Sequence, residues 1–573
     1  MKKTTRWLAV LIALLLMVSV CPVAIASAAG RQEAVFTFDP DLTKRSSHQP
    51  ELSLALNGTA TASSFDFTTL HDTLLEQFEN CATVIPLQAY RIPLDQAQAL
   101  VNYIGSELPE AFHLNFSFSV RSSGGYLSEL RNITYRYTAE EYAAKLEQFH
   151  QNAAWLLRDL TDPALTEVEK ALLLHDRIIT WTAYGYCGNN NVGSPCYTVE
   201  GPLLMHQGVC SGYARLYHYL LEQVGIESQY VDSESLNHAW NMIKVNGAWY
   251  HVDVTWDDGG WTDVAGRVFH ENFLRSTKGI RDTQHAADDF SAVPVSTAYD
   301  NAYWQNSIAE FVWSHSTLYF IDSMTGTLYQ SKNGSAHKLF SLGGAWGNWG
   351  IHKKATSQSD TIVTKFHCLS ANSRYLYYTT PTQVVRLSLP DLNASVVYAP
   401  TLASGSYLFG AHVNDWTMTA QIGTNPITIT QTKTVQLTQD YAVTYQANGG
   451  SGAPQPQTKL AGQPLTITAV RPTRSGYAFL GWNTKADGSG ASYQPGSVYT
   501  KDEDITLWAQ WRKQVDNSDQ TTQPTQPTQP TQPTQPPAES EEPAEQQQPQ
   551  QKQGLLDWLR AMFAFFLHLL FGT

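Results

Sequence analysis

The chain has 573 residues, of which 42% are hydrophobic and 15% charged. At roughly 100–200 residues per domain this length suggests about three packed domains with tails, and so much apolar content excludes a wholly disordered chain. A formal net charge of -14 repels phosphate backbones, which argues against a nucleic-acid partner.

Residues 1–29 read as an export signal. Lys2, Lys3 and Arg6 form a basic start, Trp7 to Val20 an apolar run, and Ala24, Ala26, Ala28 and Ala29 supply small-residue cleavage sites. Cys21 follows the bulky Val20, which does not suit a lipid-attachment site. Beyond the signal stand Cys81, Cys187, Cys196, Cys210 and Cys368, an odd set that implies at least one unpaired thiol in an exported chain. Cys187 and Cys196 flank a polar, Gly-rich loop and are the easiest pair to join as a disulfide.

Residues 30–160 mix helix and strand. Leu94, Ala97, Leu100, Val101, Ile104 and Leu108 recur at helical spacing, and Leu114, Phe116, Phe118 and Val120 alternate as in a half-buried strand. Ala139 to Leu160 reads as helix again. No chemical motif stands out there, and the segment is expected to pack against its successor.

Residues 161–290 carry the chemistry. In Gly208-Val209-Cys210-Ser211-Gly212-Tyr213-Ala214, the cysteine stands just before an amphipathic pattern: Tyr213, Leu216, Tyr217, Leu220, Leu221 and Val224, closed by Gly225. Cys210 is therefore placed at a helix start, where free N–H groups and the helix dipole favour a thiolate and could also serve an oxyanion. Gly208 and Gly212 are expected to leave room for a substrate backbone. Downstream, His238 to Val245 reads as a strand, Asn246-Gly247 as a two-residue hairpin loop, and Ala248 to Thr255 as the returning strand. Pairing Val245 with Ala248 sets Trp240 opposite Asp253. It also puts His238 and Asp253 on one face as diagonal neighbours, at about 7–8 Å. The other face is Ala239, Ile243, Val245, Ala248, Tyr250, Val252 and Val254, with Asn241 as its one polar residue. A thiol nucleophile needs a base, and the base needs an orienting acceptor; Cys210, His238 and Asp253 supply the three. Trp240, Trp249 and His251 are expected to wall the site, with Trp240 also a candidate substrate contact and His206 a weaker neighbour. His251, Asp253, Asp257 and Asp258 lack the ordered oxygen loop of a calcium site, so no metal or other cofactor is expected.

Three stretches, Gly208 to Ala214, Asn237 to Asn241 and Trp249 to Asp258, resemble the bacterial transglutaminase-like superfamily. The segment around Leu172 to Thr180 and Gly201-Pro202-Leu203-Leu204 fit as well. The resemblance spans roughly 165–260. It implies a papain-like α+β core, Cys210 as nucleophile, His238 as base and Asp253 as orienter. The expected substrates are protein or peptide amides, including cell-wall peptides. A surface-binding or adhesive protein with a vestigial triad is the alternative expectation.

Residues 291–440 read as all-β, in short aromatic and β-branched runs such as Thr317 to Ile321, Tyr375 to Thr379 and Val384 to Leu389, arranged as a propeller or a sandwich. Residues 441–513 form a compact β unit. Val443 and Tyr445 lead into Asn448-Gly449-Gly450, and later come Gly476 to Trp482 and Ile505 to Trp511. These blocks, in this order, resemble the Listeria–Bacteroides repeat of internalin-type surface proteins, which implies a cell-envelope module. Residues 514–553 are a Thr/Gln/Pro-rich linker that cannot bury a core. Residues 554–573 are densely apolar, with Asp557 and Arg560 as the full charges. The uncharged run from Ala561 is shorter than the roughly 20 residues that cross a bilayer, so an interfacial helix that contacts the membrane is expected.

Overall fold

The structure, a computed structural model, describes residues 32–37 and 65–514, apart from 116, 189–193, 259–263, 284, 287–289, 291–295, 333, 345, 347–350, 353–361, 364, 390 and 426. The expected export signal, the apolar segment 554–573 and all of the linker but Gln514 lie outside the described residues. Among the described residues no helix is long and apolar enough to cross a membrane.

Two compact units divide the chain. The first holds the described residues up to Ala442 with Thr458–Leu465 and Val498–Asp504; the second is built from 443–457, 466–497 and 505–514. The sequence pattern separates 30–160, 161–290 and 291–440, whereas the fold joins them. One apolar cluster takes Phe112, Phe149 and Leu156 from the first segment, Leu172, Leu216 and Val252 from the second, and Trp304, Phe311 and Phe320 from the third. Aromatic side chains from both flanks fill a core that the middle segment cannot close alone.

In the first unit, β1 (Gln32–Thr37), β2 (Val84–Pro86), β3 (Ser117–Ser123) and β4 (Tyr126–Arg131) form a sheet ordered β1-β3-β4-β2. Helices α1 (His71–Glu79) and α2 (Ala97–Glu107) share its core, with Leu74, Leu100, Val101 and Ile104 packed among Phe118, Val120, Leu127 and Leu130. Helices α3 (Ala139–Leu157) and α4 (Glu167–Trp181) each open on a capping box, Thr138 with Glu141 and Thr166 with Glu169, so each start satisfies two free donors from its own side chains.

Then follow β5 (Ala183–Tyr184), α5 (Glu200–Leu204), β6 (Gln207–Gly208) and α6 (Cys210–Gln223). Strands β7 (Ser228–Ser233), β8 (His238–Val245) and β9 (Ala248–Val252) make an antiparallel sheet in that order. The hairpin has the register the loop demands, Val245 opposite Ala248. Asn246 and Gly247 have φ of 51° and 75°, the left-handed backbone of a type I′ turn. Ile243, Val245, Tyr250 and Val252 enter the same cluster as Leu216, Tyr217 and Leu220 of α6. Asn241 Nδ2 donates to the Ala214 carbonyl at 3.0 Å, which ties the one polar side chain on that face to α6.

The returning strand is shorter than expected. It stops at Val252, and Val254–Asp257 forms a single helical turn, α7, capped by the Asp253 side chain. An aspartate whose carboxylate takes a backbone N–H favours a helix start over strand continuation. A second short helix, α8 (Thr277–Arg281), follows. Over 312–436 the chain runs as antiparallel meanders, with four strands across Val312–Ser314 to Ser335–Ser341, four across Leu369–Ala371 to Ala394–Tyr398 and three across Ser406–Asn414 to Thr428–Gln436.

In the second unit, Val443 to Gln446 pairs in parallel with Ile505 to Trp508, and Tyr477–Asn483 pairs antiparallel with Trp508 to Lys513. Val443, Tyr445, Trp482, Leu507 and Ala509 are buried between them.

Candidate active site

Cys210 is the first residue of α6, and the extended Val209 precedes it as N-cap. The helix is anchored by its apolar face, Tyr213, Leu216, Tyr217, Leu220 and Leu221, all buried, and ends at Gly225 with φ 76°. Its start is pinned from outside. The Val209 N–H donates to the Cys196 carbonyl at 3.1 Å, and Cys196 is joined to Cys187 in a disulfide. A side chain at position 212 would run into that same Cys196 carbonyl, and one at 208 would press on the Pro202 ring. The two glycines expected to admit a substrate backbone thus admit the protein's own chain. Cys210 remains a free thiol, with 8% of its surface exposed.

His238 opens β8 and Asp253 caps α7. The Nε2 of His238 donates to Asp253 Oδ2 at 2.6 Å. Asp253 Oδ1 accepts the Trp256 N–H at 3.0 Å. A carboxylate only accepts, so Nε2 carries the proton and Nδ1 is the ring nitrogen available to Cys210, whose side chain is near enough to help hold the imidazole's pKa up. Burial alone would drive His238 neutral. The Asp253 charge and hydrogen bond, with Cys210 adding to them, outweigh it and hold the imidazole up at about 10. Burial likewise pushes the Asp253 carboxyl up, but His238 and the hydrogen bonds of two imidazoles bring it well below the usual carboxylate range.

The second imidazole is His285, whose Nε2 donates to the same Oδ2 at 2.8 Å. It lies 32 residues beyond Asp253, in a stretch with no periodicity, and only the tertiary fold brings it in. The ring of Trp256 stacks on His238 with centroids 4.6 Å apart, and Trp240 lies at 5.8 Å with its ring nearly parallel. Trp240, expected to meet substrate, is 1% exposed, and its Nε1 donates to His251 Nδ1 at 3.1 Å. His251 then donates from Nε2 to Thr277 Oγ1 at 3.2 Å. Burial, helped by charge on His285 and Arg281, pushes His251 down to about 3, so it is a neutral strut. Trp249 packs in the same small cluster as Trp240 and Met242. His206 is exposed and sits on the Trp181 ring.

A second buried network runs behind the site. His175 donates from Nδ1 to Asp176 at 2.7 Å and from Nε2 to Asp257 at 3.3 Å. His270 Nε2 donates to Asp176 at 3.0 Å, and Asp257 accepts both the N–H and the side-chain amide of Asn272 at 3.0 Å. Burial disfavours a charged His175, but the hydrogen bonds and charges of the two carboxylates hold it up at about 9. Among the described residues, His175 with Asp176 and His270, and His238 with Asp253 and His285, bring ring nitrogens and carboxylates close enough to share an ion. In both sets those groups already hydrogen-bond one another.

Residues 154–254 match the family model of the transglutaminase-like superfamily. Residues 441–510 match that of the Listeria-Bacteroides repeat domain. The chain thus carries a transglutaminase-like domain followed by a Listeria-Bacteroides repeat. A candidate membrane protein of Evansella cellulosilytica is 37% identical over 76 residues, 13% of this chain and 11% of that protein. A candidate Gly-rich membrane protein of the same organism is 49% identical over 43 residues, 7% of this chain and 5% of that protein. Among solved structures, a TGase shares 13% identity over 26% of this chain and 47% of its own, with a TM-score of 0.18. A candidate protease from Parabacteroides distasonis shares 15% over 23% and 35%, with a TM-score of 0.15. The chain spans less than half the length of each of these four proteins.

Proposed function

We propose that the chain is a cysteine enzyme with a papain-like core that acts on protein or peptide amides through a thioester. Cys210 is the nucleophile, His238 the proton carrier and Asp253 its orienter. The observation that carries this reading is the buried line from Asp253 Oδ2, 2.6 Å from His238 Nε2, through the imidazole to Cys210 at the first turn of α6. An imidazolium beside the thiol and the helix dipole both favour the thiolate. Its sulfur attacks the amide carbonyl, and the oxyanion meets free N–H groups at the helix start. His238 gives its proton to the leaving amine, and a thioester on Cys210 remains. Water then regenerates the thiol by hydrolysis, while a second amine takes the acyl group by transamidation.

The repeat domain, and the membrane-protein names of the two relatives, support a place at a bacterial surface. There the substrates would include Gln side chains and cell-wall peptides. The test offers full-length protein a Gln-containing peptide with a labelled amine, and then peptides without it. Incorporation identifies a transferase, and cleavage or ammonia release a hydrolase. Cys210→Ala should abolish either without unfolding; full activity in that variant would sink the mechanism.

A further inference from the structure

We infer that His285 is a positioning residue for the same reaction, holding the Asp253 carboxylate in register with His238. The inference rests on the cysteine-enzyme reading above. A carboxylate with one partner per oxygen still swings about its Cβ–Cγ bond. Asp253 has three donors: His238 at 2.6 Å and His285 at 2.8 Å on Oδ2, and the Trp256 amide at 3.0 Å on Oδ1. The two imidazoles approach one oxygen from separate segments, His238 from β8 and His285 from the coil after α8, so the carboxylate cannot follow His238 if that ring moves. His285 is fully buried. Its ring lies 4.0 Å from that of Trp256 and 5.0 Å from that of Trp240, the two indoles that also flank His238. The two histidines are thus set in one aromatic frame around one acceptor. The neighbouring titratable groups are His251, kept neutral by burial, and Arg281, whose charge acts on His251 together with that of His285.

Losing the His285 donor has two opposed effects on His238. The carboxylate charge is less shared, which favours the imidazolium, but the carboxylate is released from its orientation, which weakens the short bond to Nε2. Charge-assisted bonds depend steeply on geometry, so loss of orientation dominates. His238 then holds its proton less well, and Cys210 reacts less readily near neutral pH.

The experiment uses full-length protein and two variants that separate packing from hydrogen bonding. His285→Phe keeps a ring against Trp256 and removes the N–H; His285→Gln keeps a donor and removes the ring. Alkylation by iodoacetamide is followed from about pH 5 to about pH 9 on the Cys210 peptide by mass spectrometry, because Cys81 and Cys368 are also free thiols. His285→Phe should react about ten-fold more slowly at neutral pH, with the rising limb displaced upward by about one pH unit. His285→Gln should stay within about three-fold of wild type. A wild-type profile in His285→Phe, or equal losses in both variants, overturns the inference and leaves the proposed function standing. A wild-type Cys210 that does not react near neutral pH overturns both.

Discussion

Asp253→Asn removes one charge at nearly constant volume, and the structure sets the size of its effect. The carboxylate accepts from two imidazoles and one backbone amide, whereas an asparagine has one acceptor oxygen. Turned toward the imidazoles, it sets its own NH2 against the Trp256 N–H and gives up the cap of α7, at about 1 kcal/mol. The electrostatic loss is larger. Burial opposes the His238 imidazolium, and it is chiefly Asp253 that lifts the ring from 6.5 to about 10. Without that charge burial prevails, and the ring falls from about 10 to below 6.5, more than about 3 pH units in all, or about 4–5 kcal/mol at 1.36 kcal/mol per unit. A thiolate that depends on the imidazolium then loses about a thousand-fold in rate at neutral pH. Alkylation of Cys210 and turnover should fall together by that order and recover only in alkaline buffer, with far-UV circular dichroism unchanged. Wild-type reactivity and pH dependence in this variant would remove Asp253 from the mechanism.

Three further outcomes are expected. His175 and His238 have folded-state values raised to about 9 and about 10 from 6.5. Their stabilising contribution is therefore full below about pH 6.5 and lost as pH rises through about 9 to 10. The urea midpoint should fall across that window and fall less in His175→Gln; a constant midpoint in wild type refutes this. Cys187 and Cys196 are 9 residues apart, and opening so short a loop costs about 2–3 kcal/mol in chain entropy. Replacing both by serine should lower the melting temperature and slow Cys210 alkylation, because the Cys196 carbonyl holds the start of α6; unchanged melting contradicts the role given to the bridge. Deleting the residues after Gln553 should move the protein from the membrane fraction to the medium, and identical partitioning of the two forms excludes the tether.

The parts of the site legible in the sequence were those set by local rules. The apolar spacing after Cys210 places it at a helix start, and Asn246-Gly247 fixes the register that aligns β8 with β9. Neither rule reaches Asp253 itself, where a capping bond to Trp256 competes with strand pairing and wins. His285 carries no signal because its partner is far along the chain. His175 and Asp176 sit on a helix buried on nearly every side, where an apolar pattern hides the two polar residues that pair across to Asp257 and His270. On sequence alone Trp240, Gly208 and Gly212 face a substrate, because a sequence does not distinguish an open cleft from a neighbouring segment of the same chain. The segment boundaries at 160 and 290 follow composition, which changes along the chain where one apolar core runs on.

That shared core bears on how the protein can be handled. The family match ends at residue 254, yet Trp304, Phe311, Trp313 and Phe320 pack in one cluster with Leu172 and Leu216. His285 and Asn272, which hold the two acidic ends of α7, and His270, which holds Asp176, also lie beyond that limit. An expression fragment trimmed to the matched residues would present bare aromatic sockets to water and leave Asp253 without its His285 donor and Asp176 without its His270 donor. Its silence in an assay would report a broken scaffold rather than an inert thiol. Recognition by sequence and independence in folding are different lengths in this protein, and a dissection of its chemistry has to respect the longer one.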